Sequence, residues 1–307
     1  MYDIIGDIHG QAKELVRLLE KLGYTKKEGI YRHPKRKAIF LGDFIDRGKS
    51  NLSVIDIVRP MIESSAALSV MGNHEYNAIC FHTRDPQSKD KWLRPRSTKN
   101  ILQHVDMLIE YKGNRSSRIE SDINWFRTLP LWIELDGIRI VHACWDDELI
   151  KTIGDPYALK NDNFLLDSTK KNSPAHIAIE TILKGKELNL PPGLTFTDKD
   201  NNQRSEIRVK WWISSGKSYK DVSVGINGLA GLAMDEKIPE GLQLGYDKNL
   251  PPVFIGHYWK SGEPNYLTPN VACVDYSVAK PGGKLVAYRW DGERKLSTEK
   301  FVSVQRL

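Results

Sequence analysis

The chain has 307 residues, 40% hydrophobic and 27% charged, with net charge +6 and a pI near 9.0. These values suit one large globular domain, or a core domain with an insertion, and the charge is too weak to announce a nucleic-acid binder. No apolar run is long enough to span a bilayer and no secretory signal is visible, so the expected location is cytoplasmic with no membrane partner.

In chain order, Ile4-Ile5 is a short apolar strand ending in Gly6-Asp7-Ile8-His9-Gly10. Gln11 to Leu22 then shows a helical period closed by Gly23. A basic loop, Lys26 to Lys37, leads to a second strand, Ala38 to Leu41, which ends in Gly42-Asp43-Phe44-Ile45-Asp46-Arg47-Gly48. A helix follows from about Asn51, with Pro60 expected to bend or end it. Leu68 to Met71 is the third strand, ending in Gly72-Asn73-His74-Glu75. This order predicts parallel strands with right-handed crossovers, which place all three turns on one sheet edge.

Beyond Tyr76 a helical stretch gives way to a basic segment, Arg84 to Lys99. Ser97 or Thr98 then caps a helix whose apolar face is Ile101, Leu102, Val105, Leu108 and Ile109. Asp136-Gly137 is a two-residue hairpin signal between Leu131 to Leu135 and Ile138 to Val141, and His142 follows. From Trp145 to Leu250 the periodicity weakens. Ser173-Pro174 opens a helix to Lys184, and Asp198 to Asn202 reads as a polar turn. Val253 to Gly256 repeats the opening device and delivers His257; Val271 to Val274 then reaches Asp275, and the Gly282-Gly283 turn leads into Lys284 to Trp290, which reads as a terminal β meander. The expected organisation is a core of 1–144 and 251–307, with 145–250 as a cap or elaborated loop region of the same domain. Cys80, Cys144 and Cys273 lie far apart in apolar surroundings, which suits reduced core residues.

Asp, His and Asn without thiolate form a ligand set for borderline to hard divalent metals such as manganese, iron, zinc or nickel, and two divalent ions, manganese first among them, are the expected cofactors. Asp7 and His9 can reach one ion, Asp43 can bridge two, and Asn73, His142 and His257 complete the second set. Two such ions clamp an attacking hydroxide and a phosphoryl oxygen.

The ordered series resembles the calcineurin-like metallophosphoesterases, phosphoprotein phosphatase branch, whose GDxHG, GDxxDRG and GNHE motifs match Gly6 to Gly10, Gly42 to Gly48 and Gly72 to Glu75. The later histidines match His142 and His257. The resemblance implies an α/β fold, an αββα sandwich of two mixed sheets flanked by helices. It also implies hydrolysis of phosphate monoesters or phosphoanhydrides by a hydroxide bridging two metal ions. Metal ligands would be Asp7, His9, Asp43, Asn73, His142 and His257, with Asn73 also a substrate contact. His74 would be the general acid, Asp46 would hold its ring, and Arg47 would clamp phosphate. Arg208 is the candidate second clamp, with Arg204 close behind.

Each residue also has a plainer reading. A lone His142 on a strand is more often a hydrogen-bonded core histidine, but the surrounding series reverses those odds. Glu75 reads better as a helix-start acid, and Asp275 either orients a histidine ligand or caps a turn. Trp145, Trp211, Trp212, Tyr258 and Trp259 suit core packing more than base stacking.

On substrate, the opening resembles small bacterial dinucleoside polyphosphatases, whereas Glu75 after His74 resembles protein phosphatases. Pro264-Asn265-Tyr266 echoes the latter's SAPNY loop but lies too close to His257. The expectation leans to a phosphoprotein phosphatase-like hydrolase acting on phosphorylated protein, with a dinucleoside polyphosphate or nucleotide hydrolase as the alternative. RNA-end processing and an inactive phosphate-binding module are less favoured, as is nucleic acid as a partner.

Overall fold

Side chains alternate between two interiors along the early strands, and this alternation sets the layers. The structure, a computed structural model, describes residues 1–88, 90–112, 116–197, 203–225, 235–242 and 244–307. Strands Tyr2–Ile5, Lys37–Phe40 and Ala67–Ser69 pair in parallel, Ile4 opposite Ile39 and Ile5 opposite Phe40. Ile4 and Ile39 join Ile140, Phe254, Val286 and Tyr288 in a core between two sheets. Ile5, Ala38 and Phe40 face the other way, into a core with Leu15, Leu18, Val54 and Val58 of helices Ala12–Leu22 and Asn51–Glu63. A period of two therefore gives each strand one sheet-facing and one helix-facing side.

The same rule builds the second half. Strand Val253–Ile255 lies parallel to both Ile138–Val141 and Val271–Cys273, in a sheet that Trp132–Leu135 completes to four strands among the described residues. Phe254 points into the inter-sheet core, while Val253 and Ile255 join Ile179, Ile182 and Leu183 of helix Pro174–Lys184. The layers are helix, sheet, sheet, helix, as the motif resemblance implied. Strands Asp275–Tyr276, Lys284–Trp290 and Phe301–Gln305 add antiparallel to the first sheet, making it six-stranded among the described residues. Of the expected terminal meander, Asp275–Tyr276 and Lys284–Trp290 do pair, Phe301–Gln305 extends it, and Val271–Cys273 belongs to the other sheet.

Several local expectations need correction. Helix Asn51–Glu63 continues through Pro60, which falls in its last turn. The basic loop contains a small hairpin, Thr25–Lys27 with Ile30–Arg32. The helix expected from Ser97 is two short helices, Thr98–Gln103 and Val105–Glu110, broken at His104. Its presumed buried face is largely outside: Leu102 is 63% and Ile109 53% exposed, while Met107 and His104 are buried. Ser97 does cap it, its side chain accepting from the Asn100 amide. The polar turn expected at Asp198 to Asn202 lies outside the described residues. No helix among the described residues is long and apolar enough to cross a membrane.

One buried polar cluster ties the chain ends together. Asp3, fully buried, accepts hydrogen bonds from Arg36 Nε at 2.8 Å, Tyr24 Oη at 3.0 Å and Arg289 Nε at 3.2 Å. Removing one partner from a buried ion pair leaves the other charge stranded. Arg36, however, keeps its ion pair with Asp291, so Asp3→Ala is expected to cost about 1–3 kcal/mol of stability in denaturant unfolding, the worth of the buried hydrogen bonds it strips from Tyr24 and Arg36, and the absence of a measurable change would contradict this role.

Candidate metal centre

Every metal-capable side chain singled out in the sequence follows the carboxyl end of a strand. Asp7 and His9 follow Tyr2–Ile5, Asp43 follows Lys37–Phe40, and Asn73 follows Ala67–Ser69. His142 follows Ile138–Val141 and His257 follows Val253–Ile255. The turns are tight and strained. His9, Asp43, Asp46, Arg47, His257 and Trp259 all have φ between 47° and 69°, a region disfavoured for side-chain-bearing residues that persists where surrounding structure enforces it. Glycine makes room between the loops: a Cβ on Gly42 would lie 2.2 Å from the Gly72 nitrogen, and one on Gly256 2.1 Å from Asp7 Oδ1.

Glu75 binds two of these loops into one unit. Fully buried at the start of helix Asn73–His82, its carboxylate accepts from the amides of Asp43 at 2.7 Å, Phe44 at 2.9 Å and Gly72 at 3.1 Å. It is the helix-start acid that the plainer reading described, and it also fixes the backbone that carries Asp43. Asp275 similarly builds a turn: its carboxylate accepts from the Trp259 amide at 2.6 Å and the Ser277 amide at 2.9 Å.

The donor atoms fall into two clusters that share Asp43. Ligand atoms of His9, Asp43 and His74 lie within 4.8 Å of one another, as do those of Asp43, His142 and His257. Asp43 Oδ2 is 3.6 Å from His9 Nε2, and its Oδ1 is 3.5 Å from His142 Nε2. Asn73 Oδ1 lies 3.1 Å from His142 Nε2 and 2.7 Å from His257 Nδ1. Asp7 Oδ2 accepts from the His257 amide at 3.0 Å. His9 Nδ1 donates to the Ile45 carbonyl at 3.1 Å and His142 Nδ1 to that of Leu41 at 2.6 Å. With Nδ1 so engaged, Nε2 of each ring is the atom turned to the centre, the second-partner arrangement usual for a ligating histidine.

The fit to a cation is visible in unmet polar capacity. Asp7 Oδ1, His9 Nε2 and His257 Nε2 are buried without a hydrogen-bond partner. A buried polar atom left unpaired costs about 1–3 kcal/mol, so three together mark donors reserved for something else. The electrostatics agree. Burial pushes His9 down to about 3 and His257, next to Arg208, well below its usual range, leaving neutral imidazoles. Burial, with Asp275 and Asp43 close by, pushes Asp7 well above the carboxylate range. Burial would lower His142 as well, yet Asp43 and Asp7 lift it to about 10. Asp43 and Asp7 thus favour positive charge at His142, where a divalent cation would fit.

Around this centre stand further groups. His74 Nδ1 lies 2.6 Å from Asp46 Oδ2. The Arg47 guanidinium lies over the Trp259 ring, 4.5 Å from its centroid, and its Nε is buried without a partner. Arg208, on strand Glu206–Arg208, has a buried unpartnered Nε and a long ion pair of 3.8 Å to Glu187. Arg204 lies on strand Gln203–Arg204 and is exposed. Trp145, Trp211, Trp212 and Tyr258 are core residues, 3–7% exposed. Trp259 differs: it is half-buried, stacks on His9 with centroids 5.5 Å apart, and carries Lys280 Nζ 4.5 Å from its ring centroid.

Sequence reasoning missed His104, His82 and Lys280. His104 left a faint signal, a histidine flanking an otherwise apolar helix face. Lys280 left none, since a lysine in a Pro-Gly-Gly turn is ordinary.

A model of the calcineurin-like phosphoesterase family matches residues 2–224. The asymmetrical bis(5'-nucleosyl)-tetraphosphatase PrpE of Oceanobacillus iheyensis is 45% identical over 151 residues, covering 48% of this chain and 58% of that protein. PrpE of Bacillus subtilis is 46% identical over 143 residues, covering 46% and 56%. The chain thus matches little more than half the length of these two relatives. Among solved structures, a protein serine/threonine phosphatase from Saccharomyces cerevisiae superposes with TM-score 0.53 at 13% identity, covering all of this chain and 80% of that one. A cold-active protein-tyrosine phosphatase of a psychrophile Shewanella species gives 0.51 at 18%, covering 99% and 80%. Likeness at that level of identity establishes the fold alone.

Proposed function

Because the chain belongs to the calcineurin-like phosphoesterase family, we propose that it is a dinuclear-metal hydrolase whose substrates are dinucleoside polyphosphates. In this reading Asp7, His9 and Asp43 would hold one ion, and Asp43, Asn73, His142 and His257 the other, on a core of residues 1–144 and 251–307 to which helix Pro174–Lys184 adds its outer layer, so that the expected 145–250 cap is narrowed to the remainder of that region. Bound there, two divalent ions would supply Lewis acidity toward phosphoryl oxygens and lower the pKa of water. The chain's own residues do the rest. Arg47 and Arg208 hold phosphate, Asn73 also contacts substrate, and His74 gives a proton to the leaving oxygen from a ring that Asp46 orients.

This reading moves from the sequence-based lean toward phosphoprotein substrates to its alternative. The PrpE relatives support it, and the observation that carries it is the convergence of cations on Trp259. Arg47 comes from the second motif and Lys280 from the hairpin before strand Lys284–Trp290, yet both lie 4.5 Å from one ring centroid. A single phosphoryl group is served by the centre and Arg47. A further cation alongside suits an anion that continues beyond the scissile phosphorus.

A charge-assisted contact contributes about 1.5–3 kcal/mol. Lys280→Ala should therefore raise KM for diadenosine tetraphosphate about 10–100-fold while leaving hydrolysis of p-nitrophenyl phosphate unchanged, measured by steady-state kinetics. Equal effects on both substrates, or none on the tetraphosphate, would remove Lys280 from substrate binding.

A further inference from the structure

We propose that His104 is a positioning residue for the general acid, holding Asp46 so that Asp46 can hold His74, with His82 setting the protonation pattern of His104. The proposal rests on His74 acting as the acid.

Asp46 is buried, and each carboxylate oxygen faces a different imidazole. Oδ2 lies 2.6 Å from His74 Nδ1 and Oδ1 lies 2.7 Å from His104 Nδ1. Its amide donates to Asn51 Oδ1 at 2.7 Å, and its φ of 68° is locked by the motif turn. With backbone and both oxygens engaged, the carboxylate has one orientation. Although burial opposes ionisation, His104 and His74 hold the carboxyl well below its usual range. An ionised carboxylate only accepts, so both imidazoles present Nδ1–H to it.

His104 Nε2 then faces His82 Nε2 at 3.2 Å, and one of the two must donate. Burial, reinforced by His104 and Arg96, pushes His82 down to about 4, so it is neutral. A neutral His82 bearing Nε2–H donates to the His104 Nε2 lone pair, which keeps the His104 proton on Nδ1, facing Asp46. Phe81 packs 5.3 Å from the His104 ring, and the break between helices Thr98–Gln103 and Val105–Glu110 lies at this residue. The chain of contacts runs from the centre through His74, Asp46 and His104 to the half-buried His82.

Without His104, Asp46 Oδ1 would be buried and unpaired, and the carboxylate free to turn away from His74. Partners of this kind are worth about 10–100-fold in activity. The test compares His104→Ala, His104→Asn and His74→Ala as metal-loaded enzymes, on glycerol phosphate and on p-nitrophenyl phosphate, whose leaving group needs little protonation. His104→Ala should lose about 10–100-fold in kcat on the alkyl ester and far less on the aryl ester. His104→Asn, whose side-chain N–H can take the place of Nδ1–H, should recover most of that loss. If the alanine variant does not fold, His82→Phe should show the same substrate-dependent split at smaller size. Equal losses by His104→Ala on both esters, or an asparagine variant no better than alanine, while His74→Ala still splits the substrates, would overturn the role of His104 alone. Equal losses by His74→Ala would overturn the general-acid reading and this proposal with it.

Discussion

Replacing His74 with alanine should slow hydrolysis of an alkyl phosphate about 10²–10⁴-fold, the usual worth of a positioned acid, without changing metal content. The two halves of that expectation separate rival roles. A ligand atom of His74 lies within 4.8 Å of those of His9 and Asp43, so distance alone would also allow it to hold an ion. Its Nδ1 is engaged by Asp46 at 2.6 Å, which fixes the ring and leaves Nε2 open to either role, so metal content and the substrate split together decide between them. With p-nitrophenyl phosphate the loss should be much smaller. A variant that loses an ion by elemental analysis, or that suffers equally on both substrates, would make His74 a ligand or a structural residue.

Asp43→Asn should have the other large effect, lowering occupancy of both ions together. Asp43 is common to the two donor clusters, with Oδ2 toward His9 and Oδ1 toward His142. Asparagine keeps the volume and can still accept from the His74 amide, which lies 2.9 Å from Oδ1. It lacks the charge and the second strong donor oxygen. Glu75 continues to hold the backbone amides of residues 43 and 44, so the loop should keep its shape. Metal affinity should fall by 10-fold or more at each position, with activity falling in step. Unchanged stoichiometry in dialysed protein would contradict a shared carboxylate.

The legible part of this protein was its strands and the turns at their ends. An apolar run ending in glycine and then Asp, Asn or His states where a strand stops and what it delivers, which is why the structure brings Asp7, His9, Asp43, Asn73, His142 and His257 together. Helix limits were legible where capping chemistry is local, as at Gly23, whose φ of 93° ends helix Ala12–Leu22. Pro60 misled because a proline in the last turn sacrifices little helix beyond it. The helix after Ser97 misled for a different reason. Its apolar pattern named Leu102 and Ile109, which are exposed, and hid the break that buries His104. A sequence records which side chains share a helix face, but not that the helix stops midway to aim a polar one inward.

The groups around the centre were less legible because they arrive from distant chain. Trp259 resembled the neighbouring core aromatics, and only its half-exposed place beside His9, under Arg47 and Lys280, distinguishes it. Arg208 lies in a weakly patterned region, and its charge does bear on His257. Its long ion pair with Glu187 leaves capacity for an anion.

The most direct test of the central claim is kcat/KM for diadenosine tetraphosphate against a phosphoserine peptide, both measured on metal-loaded protein with products resolved by chromatography. We expect a preference of about 100-fold or more for the dinucleotide, equivalent to about 2.7 kcal/mol, abolished by Asp43→Asn. Preferential turnover of the phosphopeptide, or dinucleotide hydrolysis that survives loss of both metals, would contradict it.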